Sequence, residues 1–178
     1  MARQKLLVIS DTHGNIPALE AVLIWAGSRQ SDDKINTAVF LGDGLQDLDR
    51  AKHRFSLKWI QVRGNNDYAP SVPDATVFEF CGRRLFLCHG HRYRLYDGFD
   101  TLIAVARNNE ADIALFGHLH VPVFETVGGL QLVNPGSVGW PRSKAGATFA
   151  VIDFMPEKPL EVEFWNIGDQ GEILEFSP

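Results

Sequence analysis

The sequence predicts a mixed α/β fold in which two packed mixed β-sheets are flanked by helices. In the first third of the chain, short apolar strand-like runs alternate with segments of helical spacing, a pattern typical of a parallel sheet covered by helices. After Gly117 the chain contains only strand-like runs separated by turns, which adds antiparallel strands. With 178 residues, of which 45% are hydrophobic, the chain can bury one full core, so we expect residues 1–178 to form a single domain.

The first elements are predicted to be β–α units. Residues 5–10 form an apolar run that predicts a buried strand. Residues 16–28 carry apolar side chains at helical spacing, with Pro17 in the first turn, and therefore predict a helix. The alternation continues with a strand, a shorter and more polar helix and a further strand, at residues 37–41, 46–55 and 58–62.

The pattern changes in the middle of the chain. Strand-like runs at residues 76–80 and 84–88 flank Cys81-Gly82-Arg83 and predict a hairpin. A helix is expected around residues 99–106. The chain then continues in strands, at residues 112–116, 123–127, 130–133, 147–154 and 160–165. Residues 168–178 are expected to be loosely attached.

Composition disfavours several classes of function. A net charge of −5 and a pI of about 5.6 argue against a protein that holds nucleic acid mainly by neutralising phosphates, so no stable nucleic-acid complex is expected. No apolar run reaches the roughly 18 residues of a membrane span, and residues 1–5 lead directly into a strand, so we expect a cytoplasmic protein without a membrane partner. Cys81 and Cys88 are then expected to be free thiols.

Five of the six histidines fall in three tight motifs, each of which follows a strand-like run. The motifs are Asp11-Thr12-His13-Gly14, His89-Gly90-His91 and Gly117-His118-Leu119-His120. Two other strand-like runs end in acid and amide groups, Gly42-Asp43-Gly44 and Gly64-Asn65-Asn66-Asp67. In an extended segment, residues two apart face the same side, so each histidine motif is expected to present two groups to one cavity. Such ligands, without thiolate, suit manganese, iron, zinc, cobalt or nickel better than calcium.

Each motif also has a structural alternative when it is taken alone. Asp11-Thr12 before a helix is a helix-cap signal, and the two acid and amide motifs are good turn sequences. The histidine pairs are as compatible with structural hydrogen bonds as with metal ligation. Chance rarely places all five motifs at consecutive strand ends, and this coincidence favours a catalytic metal site.

Taken together and in order, the motifs resemble the five-part signature of the calcineurin-like metallophosphoesterases. The matching residues are Asp11-x-His13, Gly42-Asp43, Gly64-Asn65-x-Asp67, His89 and Gly117-His118-x-His120. A further segment, Asn134-Pro135-Gly136-Ser137-Val138 followed by Pro141-Arg142, is similar to the small branch typified by the YfcE-type phosphodiesterases. The resemblance implies a four-layer metallophosphoesterase sandwich.

The resemblance also implies a site for two divalent cations, with manganese as the first choice and iron, zinc, nickel or cobalt as alternatives. The first ion would be held by Asp11, His13, Asp43 and His120, and the second by Asp43, Asn65, His89 and His118. Asp43 would therefore bridge the two ions. Two cations about 3.5–4 Å apart clamp a phosphoryl group and lower the pKa of a bridging water, so the expected nucleophile is a bridging hydroxide.

One position departs from the pattern of the superfamily. Its phosphatases commonly carry histidine directly after the motif asparagine, where it protonates the leaving group and is oriented by the next acid. Here Asn66 occupies that position and Asp67 follows it. The YfcE-like branch also lacks the histidine. An amide is not a general acid, so His91 is the candidate substitute, with a structural hydrogen bond as its alternative role.

Arginines beside the motifs are candidates for substrate binding. Arg92 follows His91, and Arg142 follows the glycine-rich loop, and a guanidinium can pair with phosphate through two hydrogen bonds. The alternative for each arginine is an ordinary solvated side chain at the protein surface. Asn65 is a further candidate contact to substrate. Trp140 and Tyr68 are candidate walls of the pocket, with ordinary aromatic packing as the alternative.

The predicted function is metal-dependent hydrolysis of small or nucleotide-like phosphodiesters, and the expected partner is a small phosphoester substrate. The alternative is a non-catalytic scaffold on the same fold, as in the retromer scaffold subunit. The complete ligand set favours the enzyme, because ligand histidines are otherwise costly to keep unpaired. A nuclease is disfavoured by the acidic balance. Homo-oligomerisation is left open.

Overall fold

The computed structural model describes residues 3–155, 159–168 and 170–178. The strands are β1 (Gln4–Ile9), β2 (Ile35–Phe40), β3 (Lys58–Gln61), β4 (Ala75–Phe80), β5 (Arg83–Cys88), β6 (Ile113–Leu115), β7 (Pro122–Val127), β8 (Leu130–Pro135), β9 (Ala147–Phe154), β10 (Glu161–Ile167) and β11 (Ile173–Phe176). The α-helices are α1 (Ile16–Ser28), α2 (Leu45–Ala51) and α3 (Asp100–Asn108). None of these helices is long and apolar enough to cross a membrane.

The strands form two mixed sheets. The first has the order β11-β10-β9-β1-β2-β3, in which β1, β2 and β3 run parallel and β9, β10 and β11 pair antiparallel. The second has the order β4-β5-β6-β8-β7, with a parallel centre and an antiparallel hairpin at each edge. The predicted β–α alternation and the predicted hairpin are therefore confirmed.

Alternation along β1 shows how the layers pack. Leu6 and Val8 point into the core between the sheets, whereas Leu7 and Ile9 point to the opposite face, where α1 and α2 cover the sheet. Full burial of each such side chain contributes roughly 1.5–3 kcal/mol. Helix α3 packs Leu102 and other apolar residues against the outer face of the second sheet. The result is four layers, as the resemblance implied.

The expectation of a loosely attached C-terminal segment is wrong for Ile173–Phe176. These residues form β11, which pairs with β10 at the edge of the first sheet. The ring of Phe176 lies 6.1 Å from that of Phe164, and this contact covers the edge of the core. The strand is short and follows a glycine-containing turn, which hid it from the sequence pattern. Residue 169 lies outside the described residues.

Both cysteines are free thiols, as predicted. Cys88 is fully buried in β5, and its burial raises the pKa of the thiol. Cys81 is half-buried in the turn between β4 and β5. Neither residue takes part in the cluster described below.

Candidate metal centre

Six of the seven predicted ligands lie in loops that leave the carboxyl ends of four strands, and the seventh, Asn65, lies in the loop after β3. Asp11 and His13 follow β1 and Asp43 follows β2, which are parallel neighbours in the first sheet. His89 follows β5 and His120 follows β6, which are parallel neighbours in the second sheet. Because the two sheets pack face to face, the four loops meet at one end of the core.

The backbone of these loops turns sharply. The φ angle is positive at Asp11 (57°), His13 (44°), Asp43 (56°), His118 (68°) and His120 (60°). The expectation of extended segments with residues two apart on one face is therefore wrong for the Asp11 and His118 motifs. Positive φ is uncommon outside glycine and tends to occur where surrounding structure holds a functional residue in place.

Two carboxylates face three imidazoles in the centre. Asp11 Oδ1 lies 3.0 Å from His120 Nε2, 3.6 Å from His13 Nε2 and 3.9 Å from His89 Nε2. Asp43 Oδ2 lies 3.7 Å from His13 Nε2 and 3.4 Å from His89 Nε2. Two overlapping groups result, each with ligand atoms within 4.8 Å of one another: Asp11 with His13 and His120, and Asp11 with Asp43 and His89.

Backbone carbonyls fix the protonation of two of these rings. His89 Nδ1 lies 2.8 Å from the Leu41 carbonyl oxygen, and His120 Nδ1 lies 2.6 Å from that of Trp140. Because a carbonyl oxygen only accepts, each Nδ1 carries a hydrogen, and in the neutral ring Nε2 presents its lone pair to the cluster. Metal-ligating histidines are commonly held in this way.

The lone pairs in the centre lack partners among the described residues. Asp11 Oδ1 and His89 Nε2 are buried without a hydrogen bond, and His13 Nε2 lies only 3.2 Å from His120 Nε2. An unsatisfied buried polar group costs about 1–3 kcal/mol. Cations between these atoms would satisfy all of them at once. The residues therefore fit divalent metal ions, which the family reported below also implies.

The pKa shifts of the metal-free protein also indicate that positive charge is stabilised in the centre. Burial opposes ionisation of Asp11, but the imidazoles of His120 and His13 outweigh it and lower the pKa of Asp11. Burial opposes protonation of His89, but the carboxylates of Asp43 and Asp11 outweigh it and raise the pKa of His89. Contact with Asp11 likewise raises the pKa of His13. Bound cations would supply this charge in place of protons.

The second oxygen and the backbone of Asp11 are held in place. Ser10 Oγ donates to Asp11 Oδ2 at 2.5 Å, and the His118 backbone N–H donates to the same oxygen at 3.1 Å. Ser137 Oγ donates to the Asp11 carbonyl at 2.8 Å. Oδ1 thus remains as the free ligand oxygen. Neither serine was predicted from the sequence to have a role, although Ser137 lies in the segment that resembles the YfcE-type branch.

Asp67 holds the Asp43 loop. Its carboxylate accepts four backbone hydrogen bonds, from the N–H groups of Asp43 (2.7 Å), Gly44 (2.9 Å), Leu45 (2.9 Å) and Gly64 (2.8 Å). Both oxygens are occupied, so Asp67 orients the loop backbone rather than a neighbouring side chain. Two glycines let the loops meet, because a Cβ on Gly64 would lie 2.1 Å from Asp43 Oδ1 and one on Gly42 would lie 2.4 Å from Gly64 N.

Asp47 links α2 to the Asp11 loop and was missed in the sequence. Its Oδ2 accepts from Thr12 Oγ1 at 2.6 Å and from Gly14 N at 2.8 Å. The available signal was its position between Leu45 and Leu48 on the buried face of α2, where an acid needs hydrogen-bond partners.

Asn66 rather than Asn65 contacts Asp43 in the structure. The Asn66 backbone N–H donates to Asp43 Oδ1 at 2.8 Å, and Asn66 Nδ2 donates to Asp43 Oδ2 at 2.5 Å. Asn65 is exposed. The anchoring of Gly64 and Asp43 by Asp67 brings Asn66 against the carboxylate. Asn65 was predicted as a metal ligand, and no contact between Asn66 and Asp43 was expected from the sequence.

His118 and His91 lie beside the centre. The ring of His118 is 5.2 Å from that of His89, but His118 belongs to neither ligand group. The ring of His91 is 5.5 Å from that of His89, and its Nε2 accepts from Arg92 Nε at 3.4 Å. Burial, followed by the positive charge of His89 and Arg92, lowers the pKa of His91. Because Nε2 accepts from Arg92, the neutral form of the His91 ring carries its hydrogen on Nδ1.

The candidate arginines occupy different settings. Arg92 is largely exposed and pairs with Asp74 at 2.9 Å, which reduces its availability to a phosphate. Arg142 is exposed and donates from Nη1 to the Tyr96 hydroxyl at 2.8 Å. The Tyr96 ring lies 5.6 Å from that of His118, so Arg142 stands at the rim of the centre.

Such a cluster, at one end of two packed mixed sheets, is what a metallophosphoesterase requires. The chain belongs to the calcineurin-like phosphoesterase superfamily, because the model of that superfamily's domain matches residues 5–156. The resemblance seen in the sequence is thereby confirmed.

Relatives identified by sequence point to the same family. Phosphodiesterase YfcE of Escherichia coli strain K12 is 33% identical over 175 residues, covering 84% of this chain and 87% of the relative. The probable metallophosphoesterase YsnB of Bacillus subtilis is 25% identical over 171 residues, covering 96% of each chain.

Solved structures share the fold over nearly the full chain. A protein of Streptococcus pneumoniae described as a predicted phosphoesterase has a TM-score of 0.76 and 27% identity, covering 100% of this chain and 99% of the other. Wild-type Vps29 of Entamoeba histolytica, complexed with zinc, has a TM-score of 0.74 and 20% identity, covering 98% of this chain and 100% of the other. At this identity the likeness to Vps29 concerns the fold alone.

Proposed function

We propose that this protein is a metal-dependent phosphodiesterase that hydrolyses small or nucleotide-like phosphodiesters. The observation that carries the proposal is the convergence of three atoms in the centre: Asp11 Oδ1 and His89 Nε2, which have no partner among the described residues, and His120 Nε2, which lies 3.0 Å from Asp11 Oδ1. These lone pairs are fixed toward one another by bonds to Ser10, Leu41 and Trp140. Building such a set is costly without a cation, and the sequence relatives include a phosphodiesterase.

Two divalent ions are proposed, with manganese first and iron, zinc, nickel or cobalt as alternatives. When bound, such ions polarise a phosphoryl group and lower the pKa of a coordinated water. The ligands that already converge are Asp11, His13, Asp43, His89 and His120. His118, in the loop after β6 that also carries His120, and Asn65, in the loop after β3, complete the proposed set. Asp11 and Asp43 each face both His13 and His89, so either carboxylate is placed to bridge.

Around the ions, each remaining residue has a proposed task. Asp67 positions Asp43 through the loop backbone. Arg142 is better placed than Arg92 to contact the substrate phosphate, because its side chain donates to an uncharged hydroxyl rather than pairing with an acid. His91 carries a buried Nδ1 with no partner among the described residues, which makes it the candidate donor to the leaving oxygen. A neutral imidazole would donate a hydrogen bond from Nδ1 to the leaving oxygen, whereas protonating that oxygen fully would require the imidazolium form.

The test is reconstitution of metal-stripped protein with single metals, followed by assay of an aryl diester, an aryl monoester and cyclic nucleotides. We expect manganese-dependent hydrolysis, with the aryl diester as the best substrate. Hydrolysis that persists in chelator would contradict the metal-dependent mechanism. Preference for the monoester would contradict the assignment as a phosphodiesterase.

A non-catalytic scaffold is the second candidate. The observation that favours it is the exposure of three aromatic side chains near the centre, Tyr68 (93%), Tyr96 (66%) and Trp140 (62%). Exposed aromatic groups are common at protein interfaces. A scaffold would bind metal without hydrolysing any diester of the panel. The five converging ligands favour the enzyme, because a docking surface does not require three imidazoles gathered around two buried carboxylates.

A further inference from the structure

A cavity of about 320 Å³ opens directly beside the metal centre. His13, Asp43 and Asn66 line it on the side of the centre, and α2 and Tyr68 form its other walls. The cavity shares two proposed ligands, His13 and Asp43, with the metal centre. When the centre holds a phosphoryl group, an ester substituent of that group can therefore reach into the cavity. Its volume is at the lower end of the roughly 300–1,000 Å³ range of small-molecule pockets, which suits one ring-sized substituent.

The electrostatics of the cavity exclude a negatively charged substituent. Its lining carries the carboxylates of Asp43, Asp47, Asp49 and Asp67 and, among the described residues, no lysine or arginine. Bound metal would offset Asp43. The hydrogen-bond partners of Asp47 and Asp67 are backbone amides and a hydroxyl, none of which carries a positive charge. Asp49 pairs with Lys52 at 2.6 Å, but Lys52 does not line the cavity. An anion placed here would be repelled.

The walls also offer contacts for a flat apolar group. Tyr68 is almost fully exposed at the edge of the cavity, and Leu45 and Ala69 contribute apolar surface. An aromatic ring gains from offset stacking or edge-to-face contact with another ring. Gln46, which is exposed on α2, adds an uncharged hydrogen-bonding side chain to the same wall.

We infer that this cavity is the subsite for one ester substituent of the substrate, and that it takes an uncharged flat group such as an aryl ring or a nucleoside. A substituent that carries a carboxylate or a second phosphate is rejected. The inference rests on the proposed phosphodiesterase function and names its substrate class. It adds Gln46 and Tyr68 to the residues that determine specificity.

The test uses symmetric diesters, so that one substituent must occupy the cavity in either orientation. The probes are bis(para-nitrophenyl) phosphate and bis(para-carboxyphenyl) phosphate, and the quantity measured is the ratio of their kcat/KM values. Gln46→Lys places a cation in the wall and should lower the preference for the nitro compound by about threefold to tenfold. Gln30→Lys, an exposed position outside the cavity, is the matched control and should leave the ratio unchanged. Equal ratios in both variants would overturn the inference.

A binding measurement separates this inference from the proposed function. Diphenyl phosphate is added to the manganese-free, zinc-loaded protein, and the backbone amide chemical shifts are followed. We expect shifts at Gln46 and Tyr68, together with several-fold weaker binding in Tyr68→Ala but not in Phe124→Ala, an exposed aromatic residue on β7. Binding at the cavity without hydrolysis of any diester would support the subsite and contradict the phosphodiesterase. Hydrolysis without involvement of Gln46 or Tyr68 would overturn the subsite alone.

Discussion

The side chain of Asn66 donates from Nδ2 to Asp43 Oδ2 at 2.5 Å, and this contact ties the residue at the leaving-group position to a proposed metal ligand. Its backbone N–H donates to the other oxygen of the same carboxylate. Asn66 therefore positions Asp43, and its amide N–H groups are not acidic enough to protonate a leaving group. Without a general acid at this position, the rate of hydrolysis should depend strongly on the pKa of the leaving group.

Replacing Asn66 by histidine should restore a general acid. General acid catalysis contributes about 10²–10⁴-fold, and the gain is largest when the leaving alkoxide is poor. Asn66→His should therefore raise rates on alkyl diesters or monoesters more than on activated aryl diesters. The measurement is the slope of log kcat against leaving-group pKa. Asn108→His, at an exposed position on α3, is the control and should leave the slope unchanged.

His91 provides the competing explanation for leaving-group assistance. If its Nδ1–H already assists departure, His91→Ala should slow substrates with poor leaving groups selectively, and Asn66→His should add little. If neither substitution changes the slope, protonation of the leaving group does not limit the rate, and the roles proposed for both positions are wrong.

Asp43→Asn should empty the metal centre while the fold persists. The change removes a negative charge that faces His13 and His89, so bound metal should fall and diester hydrolysis should drop by about 10²-fold or more. Elemental analysis gives metal content, and circular dichroism checks the fold. Asp49→Asn, on the exposed face of α2, should retain both metals. Full metal content and activity in Asp43→Asn would rule out its role as a ligand.

Asp67→Ala should destabilise the protein even without metal. Loss of the carboxylate leaves four backbone N–H groups without their acceptor, and hydrogen bonds to charged groups contribute about 1.5–3 kcal/mol each. We expect the free energy of unfolding to fall by about 3 kcal/mol or more, measured by urea denaturation of metal-free protein. Asp49→Ala should cost less than about 1 kcal/mol. A similar small cost for both variants would contradict the loop-holding role of Asp67.

Metal removal should lower thermal stability as well as activity. Ligands that bind only the folded state stabilise it by about 2.7 kcal/mol at a hundredfold excess over Kd. The Tm should therefore rise with manganese concentration in the parent protein. The rise should be much smaller in His89→Ala, which lacks a ligand from the centre. An identical manganese dependence in both proteins would place metal binding elsewhere.

The sequence was sufficient to predict the layers and most of the cluster. Regular β–α alternation predicted the parallel strands, and histidine and acid motifs at strand ends predicted Asp11, His13, Asp43, His89 and His120. These features are local, so a linear pattern records them. The ends of elements were less accurate, as α2 shows: the helix ends at Ala51 and a 3₁₀ turn continues to Arg54.

The supporting contacts were not accessible from the sequence because they join residues far apart in the chain. Ser137 holds the Asp11 backbone across 126 positions, and Asp47 bonds Thr12 across 35. The positive φ angles of the ligand loops are uncommon for residues other than glycine, so local preference does not predict them. For the same reason, the sequence does not show that Asn66 hydrogen-bonds to Asp43, because this contact depends on how Asp67 holds the loop backbone.

The most direct test of the two-metal phosphodiesterase is a titration of metal-stripped protein with manganese, in which bound metal and hydrolysis of bis(para-nitrophenyl) phosphate are measured on the same samples. Two equivalents should bind per chain, and hydrolysis should appear mainly as the second equivalent is taken up. Hydrolysis that is complete with one equivalent, or that needs no metal, would contradict the two-metal mechanism.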